Sequence, residues 1–263
     1  MPDLDSITPD DWFFKGLFVG KNGGGKTLAA SSFPKPLRIY DFDGRTAPLI
    51  NFLSPEQKKG ISFETIGPSK VNDFCREFQE LQSYNPYNTV VIDSLTSLSL
   101  SLMNYYLSLK GKGSKKDGKM VGQTQVPTWD EINGETALTS QILDVAKVLR
   151  CHVIMTAHPV AKTIITPGGS RRGSELVAFG NKLPSIVPNY FNEIYQFFIE
   201  AGVDEMNNDI PRHIIYTRPN NEEDMMKTAL PIPRRIDITS MATSQGKKEY
   251  NFSLWDDVIK RNL

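Results

Sequence analysis

The chain has 263 residues, 39% of them hydrophobic, enough to bury the core of one sizeable α/β domain but not of two independent ones. Its 30 basic and 30 acidic residues cancel, so any nucleic-acid contact must be local and cannot come from bulk charge. The only cysteines, Cys75 and Cys151, belong to no CxxC pair, which leaves a disulfide framework or a structural zinc site without support.

In chain order, the opening MPDLDSITPDD lacks the basic and apolar regions of a secretory leader, and no apolar run downstream approaches the roughly 20 residues that span a bilayer. A cytoplasmic protein with no membrane partner is the expectation. KGLFVG reads as a short buried strand, and KTLAASSF as the helix after it, closed by Pro34 and Pro36. PLRIYDFDG is a second strand that delivers two carboxylates, Asp41 and Asp43, near its carboxyl end. Val71, Phe74, Phe78 and Leu81 recur at helical spacing and predict an amphipathic helix, followed by a turn at SYNPYN. TVVIDS is apolar enough to be a central parallel strand buried on both faces, and LTSLSLSLMNYYLSL is the helix after it.

KGKGSKKDGKMVGQTQVP, about residues 110–127, has no periodicity and is expected to be a mobile loop. Leu138, Ile142, Val145 and Leu149 mark a further helix, and CHVIMTAH a fourth strand. A second irregular, mobile stretch is expected over about 159–184. EIYQFFIE, RHIIYTR and RIDIT read as later strands. The order predicts an α/β fold: a mostly parallel sheet, helices on both faces, and late antiparallel strands. One domain covers 1–263, with a core over about 12–240 and a C-terminal extension, 241–263, whose NFSLWDDVIKRNL is expected to dock on the core or on a partner protein.

The chemistry is concentrated in Gly20-Lys21-Asn22-Gly23-Gly24-Gly25-Lys26-Thr27, which fits G-x-x-x-x-G-K-[ST] between a strand and a helix. Converging backbone N–H groups that grip a triphosphate need unusual dihedrals and no Cβ in the way, and glycines supply both. Gly20, Asn22, Gly23, Gly24, Gly25, Lys26, Thr27 and Leu28 are therefore the candidate ATP-binding residues. Lys26 is expected to reach the β and γ phosphates, and the Thr27 hydroxyl to hold Mg²⁺. Asp93, at the end of TVVID, has the place of a Walker B carboxylate and is the second candidate metal residue; capping of the next helix by Asp93 or Ser94 is its structural alternative. For the group that orients water, Asp43 is the first candidate and Asp41 the alternative, each with a turn-capping role open to it.

GKNGGGKT and VVIDSLTSL, with looser support over about 16–238, resemble the RecA-like recombinase ATPases, and most closely the compact bacteriophage ATP-binding recombination and single-strand annealing proteins. The resemblance implies that Asp43 activates water, where these proteins more usually have glutamate, and that His158 senses the γ-phosphate at the end of its strand. It implies a basic finger acting in a neighbouring subunit, with Lys227 the candidate and Arg218 its competitor. It also implies a homo-oligomeric ring or filament, ATP and Mg²⁺ at the subunit interface, and single-stranded DNA as partner. A single-stranded-DNA-binding protein is a further possible partner, and the host cytoplasm the compartment if the chain is phage-encoded.

Lys110, Lys112, Lys115, Lys116 and Lys119 crowd the first irregular stretch, and Lys162, Arg171, Arg172 and Lys182 the second. Such density neutralises phosphates, and both stretches are candidate DNA loops. A solvated charged face is the plainer reading. His152 and His213 have no spacing partner and are expected to be structural or surface residues. Two other functions stay open: a small-molecule P-loop kinase, and a non-hydrolysing nucleotide switch. GNKLP lacks the aspartate of a guanine reader, which disfavours a GTPase.

Overall fold

The structure, a computed structural model, describes residues 12–109, 120–121, 124–125, 127, 129–166, 169–176, 183–203, 207–219, 225–239, 241–244 and 247–263. From the N-terminal side the elements are β1 (Lys15–Gly20), α1 (Lys26–Ser31), β2 (Leu37–Asp41), α2 (Ala47–Phe52), α3 (Pro55–Lys58), β3 (Ile61–Thr65), α4 (Val71–Glu80), β4 (Thr89–Asp93) and α5 (Leu95–Leu109). Then come β5 (Met120–Val121), β6 (Thr124–Gln125), α6 (Trp129–Val148), β7 (His152–Ala157), β8 (Pro159–Thr166), β9 (Gly169–Leu176) and α7 (Leu183–Ile186). The last elements are β10 (Glu193–Val203), β11 (Asp209–Tyr216), β12 (Arg235–Asp237), β13 (Met241–Ser244), β14 (Lys247–Tyr250) and a helical segment over Leu254–Ile259.

Eight strands form one sheet in the order β12, β11, β10, β1, β7, β4, β2, β3. Pairing is parallel from β3 to β10 and antiparallel beyond, where β11 and β12 follow β10. This is the mostly parallel α/β architecture with late antiparallel strands. Alternation along each central strand feeds two cores. Leu17, Val19, Val90, Ile92, Val153 and Met155 face one side, under α4, α5 and α6. Phe18, Val91 and Ile154 face the other, under α1, α2 and the C-terminal segment. Burial on both faces explains why these strands are apolar throughout.

Three regions depart from expectation. The stretch after His158 is not irregular: β8 and β9 pair residue for residue from Pro159 opposite Leu176 to Thr166 opposite Gly169. The β-branched run in VAKTIIT favours a ribbon, and this outweighs the glycines and charges that suggested a loop. Within 110–127, Met120–Val121 pairs with Thr124–Gln125, whereas Lys110, Lys112, Lys115, Lys116 and Lys119 lie outside the described residues, as does Lys182. Between β2 and α4 the chain forms α2, α3 and the edge strand β3, none of which periodicity announces. Phe63 of β3 is exposed, so that strand carries no buried apolar run.

The C-terminal segment docks on the core, burying Leu254, Val258 and Ile259, and Trp255 packs 4.6 Å from the His152 ring. Among the described residues no helix is long and apolar enough to cross a membrane.

Candidate active site

Parallel register brings the carboxyl ends of β1, β2, β4 and β7 to one edge: Asp41 lies beside Asp93, and Val19 beside Ala157. Ligands of such sheets bind at this edge. The glycine-rich loop leaves β1 here. Gly23 and Gly25 have φ of 78° and 94°, in the left-handed region, and Gly25 leads directly into α1. A Cβ on Gly20 would stand 2.6 Å from the Phe197 carbonyl oxygen of β10, so close strand packing also demands glycine there. Lys26, almost fully buried, donates from Nζ to the carbonyl oxygens of Gly20 at 2.7 Å and Lys21 at 3.0 Å. Burial pulls its pKa down to about 8, against the opposing influence of Asp93 and Asp43.

Thr27 Oγ1 donates to Asp93 Oδ2 at 2.7 Å, and Thr156 Oγ1 donates to Asp93 Oδ1. Helix capping falls to Ser94 instead, whose Oγ accepts from the Ser97 amide at 3.2 Å. Asp93 is thereby left facing Thr27. Two hard oxygen donors side by side at the entrance of a phosphate cradle fit Mg²⁺, which keeps several waters and takes few protein ligands. Among the described residues there is no cluster of three or more His, Cys, Asp or Glu to hold a metal by itself.

The two carboxylates of DFDG divide the roles that the sequence left open. Asp41 Oδ1 accepts the backbone N–H groups of Asp43, Gly44 and Arg45 and so anchors the turn after β2. Asp43 faces the cavity. Its Oδ1 accepts from Ser94 Oγ at 2.9 Å, and its Oδ2 lies 3.1 Å from His158 Nε2. Burial alone would raise the Asp43 pKa, but hydrogen bonds from His158, Ser97 and Ser94 outweigh it and hold the carboxyl well below the usual range. His158 is itself fixed, its backbone N–H donating to Thr96 Oγ1 at 3.1 Å.

One cavity of about 330 Å³ joins these groups, lined by Asn22 to Leu28, Asp43, Asp93 and His158. Its remaining walls are Arg45, Pro48, Phe52, His213, Ile238, Thr239 and Tyr250, of which the sequence analysis takes up His213 alone, and not as a site residue. His213 lies on this wall, which is compatible with the structural or surface place expected of it. His152 does have the structural place expected of it, buried, with Nδ1 accepting the Phe14 amide at 3.0 Å. The serines and threonines of DSLTSL were within a quoted motif, but their hydrogen bonds to Asp43 and His158 had no spacing signal.

Lys227 and Arg218 do not line the cavity. Lys227 Nζ donates to the Pro188 carbonyl at 2.8 Å and Arg218 to that of Leu230 at 3.2 Å. Lys162, Arg171 and Arg172 lie on β8 and β9.

A family profile described as an AAA domain matches residues 13–224. Among solved structures, a KaiC-like protein from the hyperthermophilic archaeon Pyrococcus horikoshii is similar over 91% of this chain and 92% of that one, at 13% sequence identity and a TM-score of 0.42. No curated protein matches the chain.

Proposed function

The chain belongs to the AAA domain family, a P-loop ATPase family, and from that premise we propose an RecA-like protein that hydrolyses ATP while acting on single-stranded DNA in recombination or repair. The observation that carries the nucleotide part is the 2.7 Å hydrogen bond between Thr27 and Asp93, at the foot of a glycine cradle that shares its cavity with Lys26, Asp43 and His158. Loop amides and the Lys26 ammonium bind the phosphates; Thr27 and Asp93 would hold Mg²⁺, which supplies neutralisation of phosphate charge when bound. Asp43 is a weak proton acceptor because its carboxyl is held so acidic, and so it acts by orienting water.

What supports the DNA part is continuity of the chain. His158, hydrogen-bonded to Asp43, is followed at once by the β8–β9 ribbon that carries Lys162, Arg171 and Arg172. A change at the γ-phosphate has a short covalent path to those cations, which contact the DNA backbone. The lysines of 110–119 add a second contact. Head-to-tail assembly with Lys227 or Arg218 reaching a neighbour's nucleotide completes the reading.

The experiment is ATP turnover with and without single-stranded DNA, for the wild type and for a Lys162→Ala, Arg171→Ala, Arg172→Ala variant. DNA is expected to stimulate the wild type, and the variant is expected to run at the DNA-free rate under both conditions. No response to DNA at any salt concentration would remove the DNA part. The shorter arm of Asp43, where the RecA-like ATPases more usually have glutamate, also favours a second reading, a nucleotide switch with negligible hydrolysis. ATP binding with turnover at background in every condition selects it.

A further inference from the structure

The segment DSLTSL, where β4 passes into α5, carries three hydroxyls, Ser94, Thr96 and Ser97. Asp43 follows β2 and His158 follows β7, the strands that flank β4 in the sheet, so the entry to α5 stands between the two. Leu95, Leu98 and Leu102 are almost fully buried in the core on the α4 side, and the Leu98 amide donates to the Ser94 carbonyl at 2.8 Å, which makes this first turn a fixed platform. Ser94, itself fully buried, uses its hydroxyl twice. Its Oγ accepts the Ser97 amide at 3.2 Å and donates to Asp43 Oδ1 at 2.9 Å. A hydroxyl has one proton, and an amide donating to its lone pair leaves that proton for the carboxylate, so one atom both caps the helix and grips Asp43. Thr96 reaches the other member, its Oγ1 accepting the His158 amide at 3.1 Å. An ionised carboxylate only accepts, so the His158 Nε2 proton points to Asp43 Oδ2 across 3.1 Å.

We propose that Ser94 and Thr96 are positioning residues for hydrolysis: from the first turn of α5 they fix the Asp43 carboxylate and the His158 ring against each other, and so set how fast bound ATP is cleaved, not how tightly it is held. The inference rests on the ATP-hydrolysing reading above and specifies what holds its water-orienting carboxylate. Neither residue lines the cavity, so each acts through the side chain it orients. Asp43 sits on a turn, where its carboxyl is free to rotate unless both oxygens are held, and a displacement of about 1 Å at such a group costs on the order of 100-fold in rate. His158 and Ser97 still hold the carboxyl when the Ser94 hydroxyl is lost, which makes the expected loss smaller than that limit.

The test is a double-mutant cycle in ATP turnover, with ATP affinity measured on the same preparations of wild type, Ser94→Ala, Asp43→Asn and the double variant. Ser94→Ala is expected to lower kcat about tenfold in the wild type with ATP affinity within about twofold, and to lower it less than about twofold further in Asp43→Asn, because the hydroxyl works through that carboxylate. A lost helix cap by itself lowers kcat by the same factor in both backgrounds, and that result would overturn the role of Ser94. Thr96→Val, which keeps the shape of the side chain and removes no cap, should lower kcat about fivefold or more, and Thr96→Ser, which restores the oxygen, should return it to within about twofold of the wild type. Thr96→Val at the wild-type rate, or Thr96→Ser as slow as Thr96→Val, would remove Thr96 from the account while the hydrolysis reading stands. If the wild type binds ATP but turns none over, the hydrolysis reading fails and takes both positioning roles with it.

Discussion

Two carboxylates two residues apart, Asp41 and Asp43, do different work because of where their oxygens find donors. Three successive backbone N–H groups occupy Asp41 Oδ1, which makes that side chain the staple of the turn. The same turn carries Asp43 into the cavity, where it meets side-chain donors on Ser94 and His158. Asp43→Asn keeps size but removes the charge and replaces one of two accepting oxygens with a donor, which weakens the pull on water. It is therefore expected to lower kcat about 100-fold with ATP affinity changed less than about threefold, as read by steady-state turnover and a binding titration on the same preparation. Asp41→Ala should instead lower the melting temperature, because three backbone N–H groups of its turn lose their acceptor. The sequence put Asp43 first and kept Asp41 as the alternative, with a turn-capping role open to each. Spacing shows that both acids follow β2, but only the turn decides which one faces the site.

At the scale of elements, legibility followed burial. β1, β4, β7, α5 and the buried stripe of α4 were readable because each sends apolar residues to a core, which gives the sequence its periodicity. β3 and the short helices α2 and α3 lie at an edge or on the surface and left no such pattern. The β8–β9 ribbon was hidden by composition, its glycines and cations reading as loop. The C-terminal segment shows what such docking does energetically. Trp255 and Phe33 enclose His152, whose pKa burial lowers to about 4. The unfolded chain binds a proton near pH 6.5 that the folded chain refuses until about pH 4, so this contribution to stability is complete above pH 6.5 and is lost as pH falls toward 4. The loss is on the order of 3 kcal/mol. Urea midpoints at pH 7.5, 5.5 and 4.5 check it: the wild type should weaken steeply, and His152→Gln, which retains an acceptor for the Phe14 amide but does not titrate, should weaken less. Equal slopes would show that other groups govern the acid limb.

For the whole molecule, the sheet collects what the chain disperses. The cradle is local in sequence, eight residues between one strand and one helix, and so its chemistry was readable from spacing alone. The opposite wall draws on Pro48, Phe52, His213, Ile238 and Tyr250, which meet only when β11, β12 and the C-terminal hairpin close over α2, and no motif spans them. Side-by-side parallel strands then place the glycine-rich loop, the Thr27 and Asp93 oxygens and the Asp43 carboxylate within one cavity, while β7 leads out of it into the ribbon. This central claim, a polyphosphate gripped by loop amides and one buried ammonium, is tested most directly by titrating ATP in magnesium buffer into the wild type and Lys26→Ala. The account predicts saturable one-to-one binding to the wild type and affinity at least about 100-fold weaker in the variant, with an unchanged melting temperature showing that it folds. Equal affinity in the two proteins, or no binding to either, would contradict it.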